Sequence, residues 1–254
     1  MHVVPLPALA DNYIWMLYDD ANQAIVVDPS EAAPVEAALA ERRLTLRAVL
    51  LTHHHNDHIG GAQALRARHQ VPVFAPYDER ISEATQRVDE GDVITLDAPR
   101  VRFQILAISG HTRSHIAYVG EGVVFCGDTL FSLGCGRLFE GTPAQMLSAL
   151  DRLAALAPET QVCCGHEYTA ANARFAQTVE PHNPDLAIRV QQVTTLRAQG
   201  RPSVPTSIAD ERASNPFLRI DQDAIIAWCR QHGAHHDRVS RFAALRAAKD
   251  AFRG

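Results

Sequence analysis

Short apolar runs separated by turn residues organise the first two thirds of the chain: "YIWMLYD", "AIVVD", "LRAVLLT", "VPVF", "DVITL", "VRFQIL", "HIAYVG" and "GVVFCGD". Each reads as a strand of roughly 4 to 7 residues, and several are continuous enough to be buried on both faces. Helical periodicity interrupts them at "AAPVEAALAERR", "GGAQALRARH" and "TPAQMLSALDRLAAL". In the last, Thr142, Pro143 and Gln145 suit the N-cap, first and third positions of a capping box. From about Gly165 onward helical segments dominate: "TAANARFAQTVE", "PDLAIRVQQVTTLRAQG", "DQDAIIAWCRQH" and "DRVSRFAALRAAKDAFR". The pattern predicts an α/β domain over residues 1–165, followed by a mostly helical domain over residues 166–254, without internal repeats.

Composition narrows the partners more than the fold. The chain has 254 residues, 46% of them hydrophobic and 21% charged, enough to bury a sizeable core. A formal net charge of −5 argues against a broad footprint for nucleic acid or an anionic membrane. The N-terminal segment lacks a basic stretch, and no window reaches the ~18 apolar residues of a membrane span. A small-molecule partner and a cytoplasmic location are therefore expected, and a monomer is the expected state of assembly. Five cysteines in a chain this long do not suggest a disulfide framework. Cys126 and Cys229 read as small buried residues, and alternation would send the adjacent Cys163 and Cys164 to opposite faces.

The chemistry is concentrated in "LTHHHNDHIGG", Leu51 to Gly61, at a strand-to-helix junction where α/β sheets place their sites. In an extended segment His53 and His55 point to one side while His54 faces away. Asp57 and His58 follow after a bend, so H-x-H-x-D-H offers donors for two cations side by side. A merely solvated turn is a poor account, because clustered imidazoles repel on protonation and build little core. Further ligand-type residues close other apolar runs: His111 in "SGHTRSH", Asp128 in "VVFCGDTLF" and His166 in "VCCGHEYT", each preceded by a glycine that permits close backbone approach.

Together "THHHNDHIGG", "GHTRSH", "GDTLFSLGCGRLFEGT" and "GHEYTAANARFAQTVEP", with "NPFLR" and "LRAAKD" nearer the C-terminus, resemble the metallo-β-lactamase superfamily and, within it, the glyoxalase II (hydroxyacylglutathione hydrolase) family. The resemblance spans nearly the whole chain. It implies an αββα sandwich with a C-terminal mostly helical domain, and two divalent metal ions, zinc foremost, with iron or manganese also suited to the ligands. By the same resemblance His53, His55 and His111 hold one ion, and Asp57, His58 and His166 the other. Asp128 bridges them and shares the catalytic role with Asp57. The reaction implied is hydrolysis of the glutathione thioester S-D-lactoylglutathione to glutathione and D-lactate. A mononuclear-iron persulfide dioxygenase and a lactonase are the alternatives on this fold.

For the substrate, the resemblance points to Tyr168, Arg246, Lys249 and Arg137, with Phe139 where the family often has tyrosine. Arg246 and Lys249 are three apart on a predicted helix and share a face, where they offer two charges to a carboxylate. Ser114 stands where glycine is common, and "AISGHT" replaces a proline-containing approach to His111, so loop geometry near that histidine is expected to differ. Cys135 is a weak candidate nucleophile without an activating base. His54, His69 and His115 read as supporting or surface residues, and His232, His235 and His236 as a polar helix junction.

Overall fold

Strands form where β-branched and aromatic residues crowd, and the uninterrupted apolar runs are buried on both sides. In the computed structural model, which describes residues 1–234 and 237–254, the chain divides into two compact units. His235 and His236 lie outside the described residues. The first unit comprises residues 1–107 and 114–127. One of its sheets runs β1 (His2–Ala8), β2 (Asn12–Tyr18), β3 (Gln23–Val27), β4 (Thr45–Leu50), β5 (Val73–Pro76) and β6 (Gln86–Val88) in spatial order. The β1–β2–β3 pairings are antiparallel and the rest parallel. The parallel connections carry helices, α1 (Ala32–Arg42) between β3 and β4, then α2 (Asn56–Ile59) and α3 (Ala62–His69) between β4 and β5. The second sheet of this unit contains β7 (Val93–Asp97), β8 (Arg100–Ala107), β9 (Ile116–Gly120) and β10 (Val123–Gly127), paired antiparallel in that order.

Alternation along β2 shows why its run is apolar at every position. Ile14 and Met16 pack with Val35 and Leu39 of α1 and Leu65 of α3. Trp15 turns to the opposite face and meets Phe125 of β10, which also packs on Phe103. A single strand thus serves a helix layer and a sheet layer. β1 escapes the sequence pattern because Pro5 and Pro7 read as breakers; as an edge strand paired only to β2 it tolerates both.

The second unit, residues 108–113 and 128–254, holds the hairpin β11 (Leu130–Phe131) and β12 (Gly134–Cys135), then α4 (Pro143–Ala154) and β13 (Gln161–Cys164). It continues with α5 (Thr169–Val179), α6 (Pro184–Ala198), β14 (Thr206–Ser207), α7 (Ile208–Ser214), α8 (Asp223–Gln231) and α9 (Arg238–Ala251). The capping box expected at Thr142 and Gln145 is formed at α4. The hairpin is braced by buried polar groups. Asn215 Nδ2 donates to the carbonyls of Phe131 and Gly134, Asn172 Nδ2 donates to Ser132 O, and Glu211 accepts from Leu133 N. Leu133 sits at φ 60°, a turn conformation that these bonds hold in place. All five cysteines are buried, and none is in a disulfide.

The two sheets of the first unit are tied by a polar contact inside the apolar core. The Tyr118 hydroxyl of β9 is fully buried and is placed to donate to the carbonyls of Leu51 (2.8 Å) and Phe74 (3.1 Å). Tyr118→Phe keeps the ring and removes the hydroxyl donor from the Leu51 carbonyl, while Phe74 O keeps the Leu51 amide, so it should cost about 1–3 kcal/mol. The check is a lower urea midpoint at unchanged m-value; an unchanged midpoint would show the hydroxyl to be dispensable.

Candidate metal centre and substrate cavity

In the first unit the ligand-type residues occupy the loop between β4 and α3, with the single turn α2 inside it. Asp28, just past β3 at φ 50°, organises them. Its buried carboxylate accepts from Thr52 N (2.8 Å), Thr52 Oγ1 (2.6 Å) and His58 Nδ1 (3.0 Å). The one hydroxyl proton of Thr52 is committed to Asp28, so the same oxygen accepts from His53 Nδ1 at 3.0 Å. Both imidazoles therefore carry their proton on Nδ1 and turn a lone pair outward on Nε2. His53 Nε2 lies 3.1 Å from His55 Nδ1, and His58 Nε2 lies 3.8 Å from Asp57 Oδ2. Asn12 Nδ2 donates to both the carbonyl and the carboxylate of Asp57.

The remaining histidines of the unit take supporting positions. His54 turns to Asp78 Oδ2 at 3.4 Å. The Arg80 guanidinium and the Ser114 hydroxyl hold that carboxyl well below the usual carboxylate range. Ser114 thus has a local partner that glycine would lack, and its effect falls on Asp78. His115 stacks on His53 with ring centroids 4.5 Å apart. Gly127, at φ 47°, permits this crowding, because a Cβ there would run into Thr52 and the His115 ring.

In the second unit His111, Asp128 and His166 are brought together and buried. His111 Nδ1 faces the Arg137 carbonyl at 2.9 Å, an acceptor only, so Nε2 again holds the lone pair. That Nε2 lies 3.5 Å from Asp128 Oδ2, and His166 Nε2 lies 3.3 Å from the same oxygen. Tyr168 stacks on His166 at 4.6 Å, and Phe139, 63% exposed, meets His111 edge-on at 5.2 Å.

His111, Asp128, Phe139 and Tyr168 open onto a cavity of about 410 Å³, whose wall also includes Arg137, Arg246, Lys249 and Phe252. Every substrate residue expected from the sequence lines it. Arg246 is buried rather than solvated: one Nη donates to Cys135 O (2.6 Å) and the other to Asp250 Oδ1 (3.1 Å). Burial pushes the Cys135 thiol up to about 11, leaving it protonated and unsuited to attack at neutral pH. Burial also brings Lys249 down to about 8, helped by the positive charges of Arg246, Arg174 and Arg137.

The donor chemistry fits divalent cations. Ligands about 2.0–2.1 Å from a tetrahedral ion stand roughly 3.3 Å from one another. The separations of 3.1 Å between His53 and His55, and of 3.5 and 3.3 Å from Asp128 to His111 and His166, match that spacing. Imidazoles oriented through Nδ1 by a carboxylate or a carbonyl are the usual surroundings of metal-binding histidines. The sequence reading missed Asp28 and Asn12. Asp28 carried a usable signal, since it ends the apolar run "AIVVD" as Asp128 ends "VVFCGD".

Comparison with known proteins agrees with this chemistry. Residues 11–166 match the family model of the metallo-beta-lactamase superfamily, and residues 167–252 match that of the hydroxyacylglutathione hydrolase C-terminus. Proteins named hydroxyacylglutathione hydrolase are 53% identical over 266 residues in Cupriavidus metallidurans and 50% identical over 256 residues in Xanthomonas campestris, covering 100% of both chains in each case. Among solved structures, ETHE1 from Myxococcus xanthus superposes with a TM-score of 0.64 at 29% identity, covering 99% of each chain. The fold is the αββα metallo-β-lactamase sandwich with a C-terminal helical region, and its His/Asp groups mark it as a binder of divalent metal. This chain belongs to the hydroxyacylglutathione hydrolases, metal-dependent hydrolases of the metallo-β-lactamase superfamily.

Proposed function

We propose that the chain hydrolyses S-D-lactoylglutathione to glutathione and D-lactate, acting as a cytoplasmic monomer on this small molecule. The observation that carries the reading is one cavity wall: a carboxylate flanked by two imidazoles shares it with Arg246 and Lys249. Such a wall suits a thioester that bears a carboxylate at a distance from its reacting carbonyl. By the family resemblance, His53, His55 and His111 would hold one divalent cation and Asp57, His58 and His166 a second, with Asp128 a ligand as well and zinc the first choice. Residues 1–165 then carry every metal ligand but His166, and residues 166–254 supply Tyr168, Arg246 and Lys249 to the glutathione contacts.

When bound, the cations supply Lewis acidity that lowers the pKa of water toward ~7 and polarises a carbonyl oxygen. The protein's own part is orientation. Asp28, Thr52 and the Arg137 carbonyl hold the imidazoles in the Nδ1-protonated form, which keeps each Nε2 available as a donor. Asn12 holds Asp57 by backbone and side chain. Lys249, Arg246 and Arg137 receive the glycine carboxylate of glutathione, while Tyr168 and Phe139 offer ring faces along the cavity. The leaving thiolate, whose conjugate acid has a pKa of ~8.5, departs without obligatory protonation, so the mechanism needs no separate general acid.

Elemental analysis of the purified protein should give two divalent ions per chain, and a strong chelator should abolish thioester hydrolysis until metal is restored. A single iron with oxygen uptake on a glutathione persulfide would point instead to the dioxygenase reading. Asp128→Asn should lower metal content and kcat together; a fully active variant with two metals would remove Asp128 from the ligand set. Lys249→Ala should raise KM for the thioester about tenfold with kcat little changed, because the contact is remote from the carbonyl. An unchanged KM would take Lys249 out of the binding set.

A further inference from the structure

Phe252 lines the cavity, yet neither the donor groups nor the charged contacts account for it. It caps α9, three residues beyond Lys249, and its half-buried ring leans back over that side chain. The Lys249 nitrogen lies 5.7 Å from the Phe252 centroid and 5.6 Å from that of Phe175, which comes from α5. The two rings meet edge to face at 5.6 Å. With one proton directed to Ala171 O at 3.1 Å, the ammonium is held by two aromatic faces and one carbonyl. A lysine on a helix surface ordinarily samples many rotamers, and holding it in one position removes entropy that ligand binding would otherwise lose.

We infer that Phe252, with Phe175 behind it, is a positioning residue that fixes the Lys249 ammonium in the cavity as a preset anchor for a carboxylate. The inference rests on the glutathione-thioester reading for the identity of that carboxylate, but the aromatic clamp itself does not depend on it. The charged groups facing Lys249 are Arg246 and Asp250 from its own helix, Arg174 from α5 and Arg137 from the segment after β12. Three of the four are positive, so these charges and the burial of the side chain act in the same direction. They favour the neutral amine and bring Lys249 to about 8. The clamp therefore acts while the lysine is charged, below about pH 8, and has no ammonium to hold above it.

In Phe252→Ala the thioester KM at pH 7 should rise several-fold with kcat nearly constant. The KM ratio of variant to parent should shrink as pH rises through about 8, where the ammonium is lost, whereas general loosening of the fold would keep it constant or enlarge it. Phe252→Tyr, which keeps an aromatic face, should restore the parent profile, and it covers the case in which the alanine variant fails to fold. A readout independent of turnover is the rate of Lys249 modification by an amine-directed acylating reagent at fixed pH, read by peptide mass on the metal-loaded protein. The rate should be higher in Phe252→Ala, where the amine is released from the rings and the Ala171 carbonyl. Equal rates in the two proteins would overturn the clamp, whatever the substrate. A faster rate with an unchanged thioester KM would uphold the clamp and count against the carboxylate it is proposed to hold.

Discussion

A buried imidazole has one proton and two nitrogens, and a metal-binding site works only if the proton sits on the side away from the ion. The Asp28 carboxylate enforces that condition for the histidine loop. It takes the Thr52 amide, the Thr52 hydroxyl and His58 Nδ1, and by using the only hydroxyl proton of Thr52 it makes that oxygen an acceptor for His53. A carboxylate only 4% exposed would be costly if left with too few donors, so the loop around it has little freedom to rearrange. The left-handed backbone at Asp28 and the missing side chain at Gly127 are local concessions that let strand ends approach closely enough for this network.

In the second unit a backbone carbonyl does the equivalent work. Arg137 O orients His111, and the hairpin β11–β12 leading to it is held by Asn172, Asn215 and Glu211 rather than by apolar packing alone. Burial pushes the Glu211 carboxyl up, and donors from Leu133 and Asn215 offset part of that cost. Arg246 reaches the carbonyl of Cys135 in the same hairpin. One short segment therefore touches both the imidazole that would bind metal and the arginine that would bind substrate. The same packing explains the inert Cys135, whose thiol is buried beside Arg246 and pushed up by that burial.

Much of this was legible in the chain itself. Apolar runs located most of the strands, helical periodicity located the longer helices, and Thr142 with Gln145 marked the start of α4. The spacing of His53, His55, Asp57 and His58 was enough to indicate metal chemistry, since ligand spacing within one loop is set by local backbone geometry. β1 was not legible, because Pro5 and Pro7 argue against a strand until the pairing partner and the edge position are known. Arg246 alone would pass for a solvated helix residue, and only packing against Cys135 and Asp250 shows that it is buried.

The sequence by itself determined which donor types the chain has, where the loops that carry them fall, and the family to which they belong. Periodicity and spacing are local properties, and motif content needs no coordinates. Only the tertiary structure decided which nitrogen of each imidazole presents its lone pair and how far Lys249 is withdrawn from water. It also decided that Phe252 leans over that lysine. Proton placement and desolvation depend on neighbours distant along the chain: Asp28 lies 30 residues from His58, and the His111 acceptor lies 26 residues from it. No local pattern encodes those distances.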